Sequence, residues 1–309
     1  MLTTYRAPRR ENLKKQFAKS RGISLAQMNA ADFPEGGNRL SAAETASYGE
    51  RGYVIPAMCL WDARLAALDD AVEYLLAANP HVPPEALMSV HIVDNKAENR
   101  CGHQAFLDRA LDPALLDIVE QVIGADIVLW GCHLFCKPGE TGREVPWHQD
   151  GKYWPIRPLA TCTLWLALDE ANSENGCMHV IPGSHAEKRL YRHHEDANPA
   201  LALYQVLDAD QFDADKAVDI ALLPGQFSLH DIYMVHGSTA NRSGKRRAGL
   251  AIRYMPATSL FDRSIGPRDT GARTGDPRYA NFADRPTWLA RGVDRTDCHG
   301  GNDFSIGHV

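Results

Sequence analysis

The stretch Trp147–Pro158, WHQDGKYWPIRP, sets an imidazole and a carboxylate two residues apart and follows them with aromatic rings and prolines. In an extended segment successive side chains alternate faces, so His148 and Asp150 point the same way and can converge on one point. That point suits a metal. A mononuclear iron(II) oxygenase needs two imidazoles and one carboxylate on one face of the ion, with the remaining positions left for cosubstrate and dioxygen. His148 and Asp150 supply two of the three ligands. A pair at this spacing arises often by chance, and an exposed loop pair is its plain alternative, so the third ligand decides the matter.

The third ligand is expected to be a histidine on a later strand. In DIYMVHGSTANRSGKRRAGLAIRYMP, His236 ends an apolar run, and Asn241, Ser243 and Gly244 then form a loop before the next strand. On that strand Arg247, Gly249, Ala251 and Arg253 share one face, and Ala248, Leu250, Ile252 and Tyr254 share the other. An arginine flanked by small residues beside a metal fits a dicarboxylate through a two-pronged hydrogen-bonded fork. Strand parity selects Arg247 for this task and turns Arg246 toward solvent or the loop end. Trp165 and Thr163, on one face of TCTLWLALDE, are placed to wall and hydrogen-bond the same pocket, and Ser238 to add a hydroxyl. Trp165 reads equally as core packing. His230 reads as a structural hydrogen bond, His133 and His179 as satisfied polar residues on strands, and His193 and His194 as parts of a solvated loop.

Around these residues the periodicity changes along the chain. Ser41 and Glu44 make a capping-box pattern that opens a helix stopped near Gly52. LWDARLAALDDAVEYLLAANP sets Leu65, Leu68, Val72, Leu75 and Leu76 on one helical stripe and closes on Asn79 and Pro80; PALLDIVEQVIG repeats the pattern and ends on Gly124. From Asp126 the period falls to two in DIVLWGCHLFC, TCTLWLALDE, HVIPGSH, VDIALLPGQFSLHD and RAGLAIRYMP. Short strands broken by Gly, Pro and Asn predict a sandwich or jelly roll, and helices followed by strands predict helices packed on one side of a β core. The expected fold class is thus α+β, mainly β. One domain is expected over 1–309: an arm at 1–39, mainly helical support at 40–125, a β core at 126–256 with a lid-like polar insert at 186–215, and an extension at 257–309.

Composition narrows the classes. The 309 residues are 44% hydrophobic and 23% charged, an ordinary globular balance with material for a sizeable core. A formal net charge of −6 lacks the basic excess that neutralises phosphates, so nucleic acid is excluded as a partner. The start, MLTTYRAPRRENLKKQFAKSRG, has no continuous apolar run, so it is read as a solvated basic arm, with an organelle transit peptide as the alternative and no membrane span. Seven cysteines form an odd set and suggest reduced thiols in the cytoplasm. CHLFC, Cys132–Cys136, reads as a strand rather than a zinc site, because no second pair stands at zinc spacing.

The chain resembles the phytanoyl-CoA dioxygenase family of iron(II)- and 2-oxoglutarate-dependent oxygenases. The resemblance runs from about Leu40 to Pro256 and is carried by GYVI, KPGE, HQD, NGCMHVIPGSH, LLPGQFSLHD and VHGSTANRSGKRRAGLAIRY together. It implies a double-stranded β-helix, the cupin-like jelly roll. It further implies that His148, Asp150 and His236 ligate Fe(II), that Arg247 pairs with the far carboxylate of 2-oxoglutarate, and that Trp165, Gln149 and Ser238 line the cosubstrate pocket. The presence of Asp150 argues against halogenation, since related halogenases carry a small residue there. The implied reaction oxidises a C–H bond of a small-molecule substrate with dioxygen and releases succinate and CO2. Hydroxylation is the expected outcome, with desaturation, cyclisation or epimerisation as alternatives. A non-catalytic binding protein on the same fold would need no Arg247, and a hydrolytic zinc site would leave it without a task. Any substrate is expected to lie between the metal and Tyr153 or Trp154.

Overall fold

In the computed structural model, which describes residues 15, 39–60, 63–264, 282–283, 285–294 and 296, the first helix begins at the cap its sequence encodes. Helix α1 spans Ala42–Arg51: the Ser41 side chain accepts from the Glu44 amide, and the Glu44 carboxylate accepts from the Ser41 amide at 2.8 Å. It stops at Gly52, whose φ of 79° lies in the left-handed region. Helix α2, Ala63–Ala78, buries Leu65, Leu68, Val72 and Leu75, and the Asn79 amide donates to the Leu75 carbonyl at 2.9 Å to close it. A short helix without a reading in the sequence, α3 (Gln104–Ala110), is capped by His103. Helix α4, Pro113–Ile123, starts from Asp112 with proline in its first turn and buries Leu115, Leu116, Ile118 and Val119. The basic arm and most of the C-terminal extension lie outside the described residues.

The helices cover one face of a seven-stranded antiparallel sheet. Its strands are β1 (Tyr53–Val54), β2 (Leu87–Met88), β3 (Ile127–Lys137), β5 (Cys162–Ala167), β8 (Phe227–Asp231), β10 (Arg247–Pro256) and β11 (Trp288–Arg291), in the order β1-β8-β5-β10-β3-β11 with β2 beside β3. A four-stranded sheet faces it, ordered β7-β6-β9-β4, from β4 (Val145–Gln149), β6 (Met178–Val180), β7 (Val218–Ile220) and β9 (Val235–Ser238). This is the jelly-roll sandwich. Strand β11 falls in the tail, where four residues, mostly half-buried on a sheet edge, leave no periodic mark in the sequence.

Alternation divides the large sheet cleanly. Ala248, Leu250, Ile252 and Tyr254 of β10, with Leu164 and Leu166 of β5 and Phe227 and Leu229 of β8, pack against the helices. The opposite side faces the second sheet in cross-strand rows: Lys137 beside Arg247, then Gly249 beside Ala167, Ala251 beside Trp165, and Arg253 beside Thr163, with Thr163 in turn beside His230. Opposite Arg253 the β3 register slips, pairing Arg253 with Gly131 and Tyr254 with Leu129, so Trp130 is the extra residue of a β-bulge. Side chains here decide backbone choices: a Cβ on Gly249 would stand 2.0 Å from Cζ2 of Trp165. Cys132 and Cys136 are buried, unpaired residues of β3, as a structural reading of CHLFC requires.

The 186–215 insert is partly ordered as a hairpin, with His193–Glu195 antiparallel to Gln205–Leu207. It is tied down by a residue assigned from the resemblance to the cosubstrate pocket. Gln149 follows His148, so alternation turns it to the other side of β4. There its amide donates to the carbonyls of Arg189 at 3.0 Å and Tyr233 at 2.8 Å and accepts from the Tyr191 amide at 2.7 Å. His193, read as a solvated loop residue, instead accepts from the Gln149 amide at 3.1 Å. Among the described residues no helix is long and apolar enough to cross a membrane.

Two stability outcomes are expected. Gly249→Ala must displace Trp165 and should cost about 1–3 kcal/mol in chemical denaturation; a change within error would show that the two are not in contact. Gln149→Ala strands three backbone groups and should cost about 1–3 kcal/mol while leaving metal affinity near wild type by titration. A loss of metal binding with unaltered stability would return Gln149 to the pocket.

Candidate metal centre and cosubstrate cleft

The centre is made by two neighbouring strands and a turn. Strands β4 and β9 pair antiparallel with His148 directly opposite His236, their ring centroids 4.2 Å apart. Asp150 opens a 3-10 turn, Asp150–Lys152, immediately past β4, which brings its carboxylate back beside the rings. Asp150 Oδ1 lies 3.6 Å from His148 Nε2 and 4.0 Å from His236 Nε2, and one donor atom of each of the three residues lies within 4.8 Å of the others. All three side chains are buried.

The second nitrogen of each ring settles which one faces the centre. His148 Nδ1 lies 2.8 Å from the Pro146 carbonyl and His236 Nδ1 3.0 Å from the Met234 carbonyl. A carbonyl only accepts, so Nδ1 carries the proton and the Nε2 lone pair is free for a metal. Burial, with the neighbouring His148, holds His236 down to about 3, so it stays neutral as a ligand must. Burial by itself would raise the Asp150 carboxyl, but the neighbouring His148 and His230 rings, with the cation of Arg253, hold it well below the usual carboxylate range. Two imidazole Nε2 atoms and one carboxylate, on one side of an open cleft, fit an iron(II) ion.

The cleft offers about 950 Å³ of empty space, open solvent at its mouth included. Arg247 lines it, 2% exposed, with its Cζ 5.4 Å from the Trp165 ring and its Nε buried without a hydrogen-bond partner. Burial lowers Arg247 to about 10, which leaves it cationic at neutral pH. Arg246, one residue earlier, is spent outside the cleft on Asp169 at 2.8 Å and Glu73 at 2.6 Å. Ser238 also lines the cleft, and its hydroxyl accepts from Lys137 Nζ at 2.7 Å. Lys137, fully buried beside Arg247, also donates to the carbonyls of Ser238 and Thr239.

Several placements correct the sequence reading. Gln149 faces away from the cleft, for the reason of parity given above. Thr163 lines the cleft, but it sits in the row of Arg253, three rows beyond that of Arg247, because β5 runs antiparallel to β10. His230 makes no structural hydrogen bond: both ring nitrogens are buried without partners, Nε2 lies 3.7 Å from Asp150 Oδ2, and the ring faces His236 at 4.9 Å. Its alternation on β8 already pointed it inward. Tyr153 and Trp154 line the cleft as expected, and the insert contributes Leu203 and Tyr204, which had no signal in a polar segment.

Comparison with known proteins agrees with this geometry. The family model for phytanoyl-CoA dioxygenase (PhyH) matches residues 48–249. A probable phytanoyl-CoA dioxygenase of Caenorhabditis elegans is 26% identical over 246 residues, 72% of this chain and 78% of that protein. Among solved structures, the non-heme monooxygenase ThoJ in its apo form superimposes with a TM-score of 0.61 at 23% identity, covering 81% of this chain and 84% of that one. EctD from S. alaskensis, solved with 2-oxoglutarate and 5-hydroxyectoine, gives a TM-score of 0.56 at 22% identity over 74% of this chain and 80% of its own. These likenesses show the jelly-roll fold. With more than half of its length inside the family model, the chain belongs to the phytanoyl-CoA dioxygenase family and is an oxidoreductase of the dioxygenase class.

Proposed function

We propose that this protein oxidises a C–H bond of a small-molecule metabolite, with Fe(II) as its metal, 2-oxoglutarate as cosubstrate and dioxygen as oxidant, releasing succinate and CO2. One observation carries the reading: a buried His148–Asp150–His236 donor set shares its cleft with a buried arginine, Arg247, that forms no ion pair with a carboxylate among the described residues and whose Nε has no hydrogen-bond partner there. His148, Asp150 and His236 would hold the iron on one side, and Arg247 the far carboxylate of 2-oxoglutarate. The bound ion and keto acid supply the redox chemistry that side chains lack.

The chain's own residues prepare that chemistry. The carbonyls of Pro146 and Met234 orient the two rings, so that Nε2 of each is presented to the ion. Trp165 stacks against the Arg247 guanidinium and keeps it aimed into the cleft, where low polarity strengthens a charge-assisted fork. Lys137 braces Ser238 and Thr239, just past His236, from beneath. Tyr153 and Tyr204, both lining the cleft, meet edge to face at 5.6 Å and give it an aromatic wall. Hydroxylation is the favoured outcome; desaturation, cyclisation and epimerisation differ from it only in where the substrate carbon is held. A non-catalytic binding role would leave Arg247 buried without purpose.

Asp150→Ala and His236→Ala should each remove 2-oxoglutarate-stimulated oxygen uptake with little loss of thermal stability; succinate formed at the wild-type rate by either would reject the ligand assignment. Arg247→Met should raise the 2-oxoglutarate concentration for half-maximal succinate release on the order of tenfold or more, the worth of a charge-assisted hydrogen bond. Arg246→Met should leave that requirement unchanged, and the opposite pattern would exchange their roles.

A further inference from the structure

The end of the cleft away from Arg247 holds a second cluster of buried donors, to which the cosubstrate chemistry gives no task. Arg253 lies six residues along β10 from Arg247, about 20 Å at the usual strand rise, and is 7% exposed. Its guanidinium carbon stands 4.9 Å from the Trp154 ring and 5.7 Å from the Trp130 ring. Arg285, 5% exposed, lies on the other side of Gly131, where a Cβ would meet its Nη1 at 3.6 Å. Gly131 is the strand partner of Arg253. Four donors that line the cleft here, Arg253 Nε, Arg285 Nε, Trp130 Nε1 and Thr163 Oγ1, are buried without a hydrogen-bond partner. Such groups are rare in folded proteins because each forfeits its hydration. Three of the four can only donate.

Charge points the same way. Among the described residues Arg285 pairs with Glu98 at 3.0 Å, whereas no carboxylate lies within ion-pair distance of Arg253. The negative charge most felt by Arg253 is that of Asp150, which the metal claims. With the iron, Asp150, 2-oxoglutarate and Arg247 summed, and with the Lys137 amine, lowered by burial to about 6, counted as uncharged, the metal end is neutral and the cation of Arg253 is left over. A buried charge without a counter-ion is costly.

We infer that the substrate is an anion whose carboxylate or phosphate group docks in the Trp130–Trp154–Arg253–Arg285 cage, presenting the carbon to be oxidised toward the metal. This rests on the oxygenase reading above and adds its substrate class. Trp130 reaches the cage only because the bulge turns it to the same face as Gly131. The planar fork of Arg253, set against two rings that themselves meet edge to face at 4.5 Å, offers two parallel donors to an oxyanion, with the Trp130 N–H and the Thr163 hydroxyl beside it.

The test uses the full chain, loaded anaerobically with Fe(II) and saturating 2-oxoglutarate and titrated with hexanoate, hexyl phosphate and hexanol, each followed by quenching of tryptophan fluorescence. Hexanoate or hexyl phosphate should bind on the order of tenfold or more tighter than hexanol, the scale of a hydrogen bond to a charged group. Whichever anion binds tighter identifies the head group. Arg253→Met should abolish the preference, Arg253→Lys should retain part of it, and Trp130→Phe, which keeps an aromatic side chain but removes the indole N–H with its ring, should weaken the anions several-fold relative to hexanol. Equal binding of all three compounds by the wild-type protein, including no detectable binding of any, would overturn the inference, as would an undiminished preference in a folded Arg253→Met. Succinate release without added substrate is measured on the same wild-type preparation. Its absence would bring down the oxygenase reading itself, whereas its presence without an anion preference would remove only the substrate class.

Discussion

The register that sets His148 opposite His236 is the constraint on which the rest depends. Two strands of the smaller sheet meet at one pair of residues, and everything the centre needs follows from which side of the pleat those residues face. A slip of one position would turn both imidazoles outward and bring Gln149 into the cleft. The register is held from both sides of the strand. Across the strands the ladder pairs Val235 with Gln149, and the Gln149 side chain donates to Tyr233 just before β9 while also bonding Arg189 and Tyr191 of the insert; within each strand the ring is oriented by a carbonyl two residues before it. Local hydrogen bonds thus specify a geometry that the metal would otherwise have to impose.

A second constraint is how a jelly roll tolerates so polar an interior. The helix-covered face of the large sheet is wholly apolar along β10 and carries the packing energy, which frees the other face for function. On that face small residues, Gly249 and Ala251, separate two arginines, so space for ligands and cation placement come from one strand. Tryptophans flank both guanidinium groups, and ring contact offsets some of the lost hydration. The arrangement amounts to an apolar foundation beneath a line of donors awaiting acceptors.

Much of this was legible in the chain. Period-two runs marked the long strands, caps marked α1 and α4, and parity separated Arg247 from Arg246 before any coordinates. The ligand trio was legible because i and i+2 spacing is itself a geometric statement. What escaped did so for identifiable reasons. Gln149 was drawn into the cosubstrate pocket by family likeness against the parity that had just been applied to its neighbours. The inward turn of Trp130 depends on a bulge, and a one-residue slip leaves no trace in hydrophobic pattern. His230 gave the right parity but no partner to suggest a role, and Leu203 and Tyr204 lie in a segment whose average polarity concealed them. The short strand β11 pairs at an edge and has no period to display.

The attachment of the insert has a mechanical consequence. Gln149 grips Arg189 and Tyr191 with its side chain and His193 with its backbone amide, while its neighbour His148 turns into the cleft. The hairpin next to Tyr204 is therefore fastened at the peptide unit that joins Gln149 to His148, a candidate metal donor. Anchorage of the insert and aim of one candidate donor thus share a single stretch of backbone.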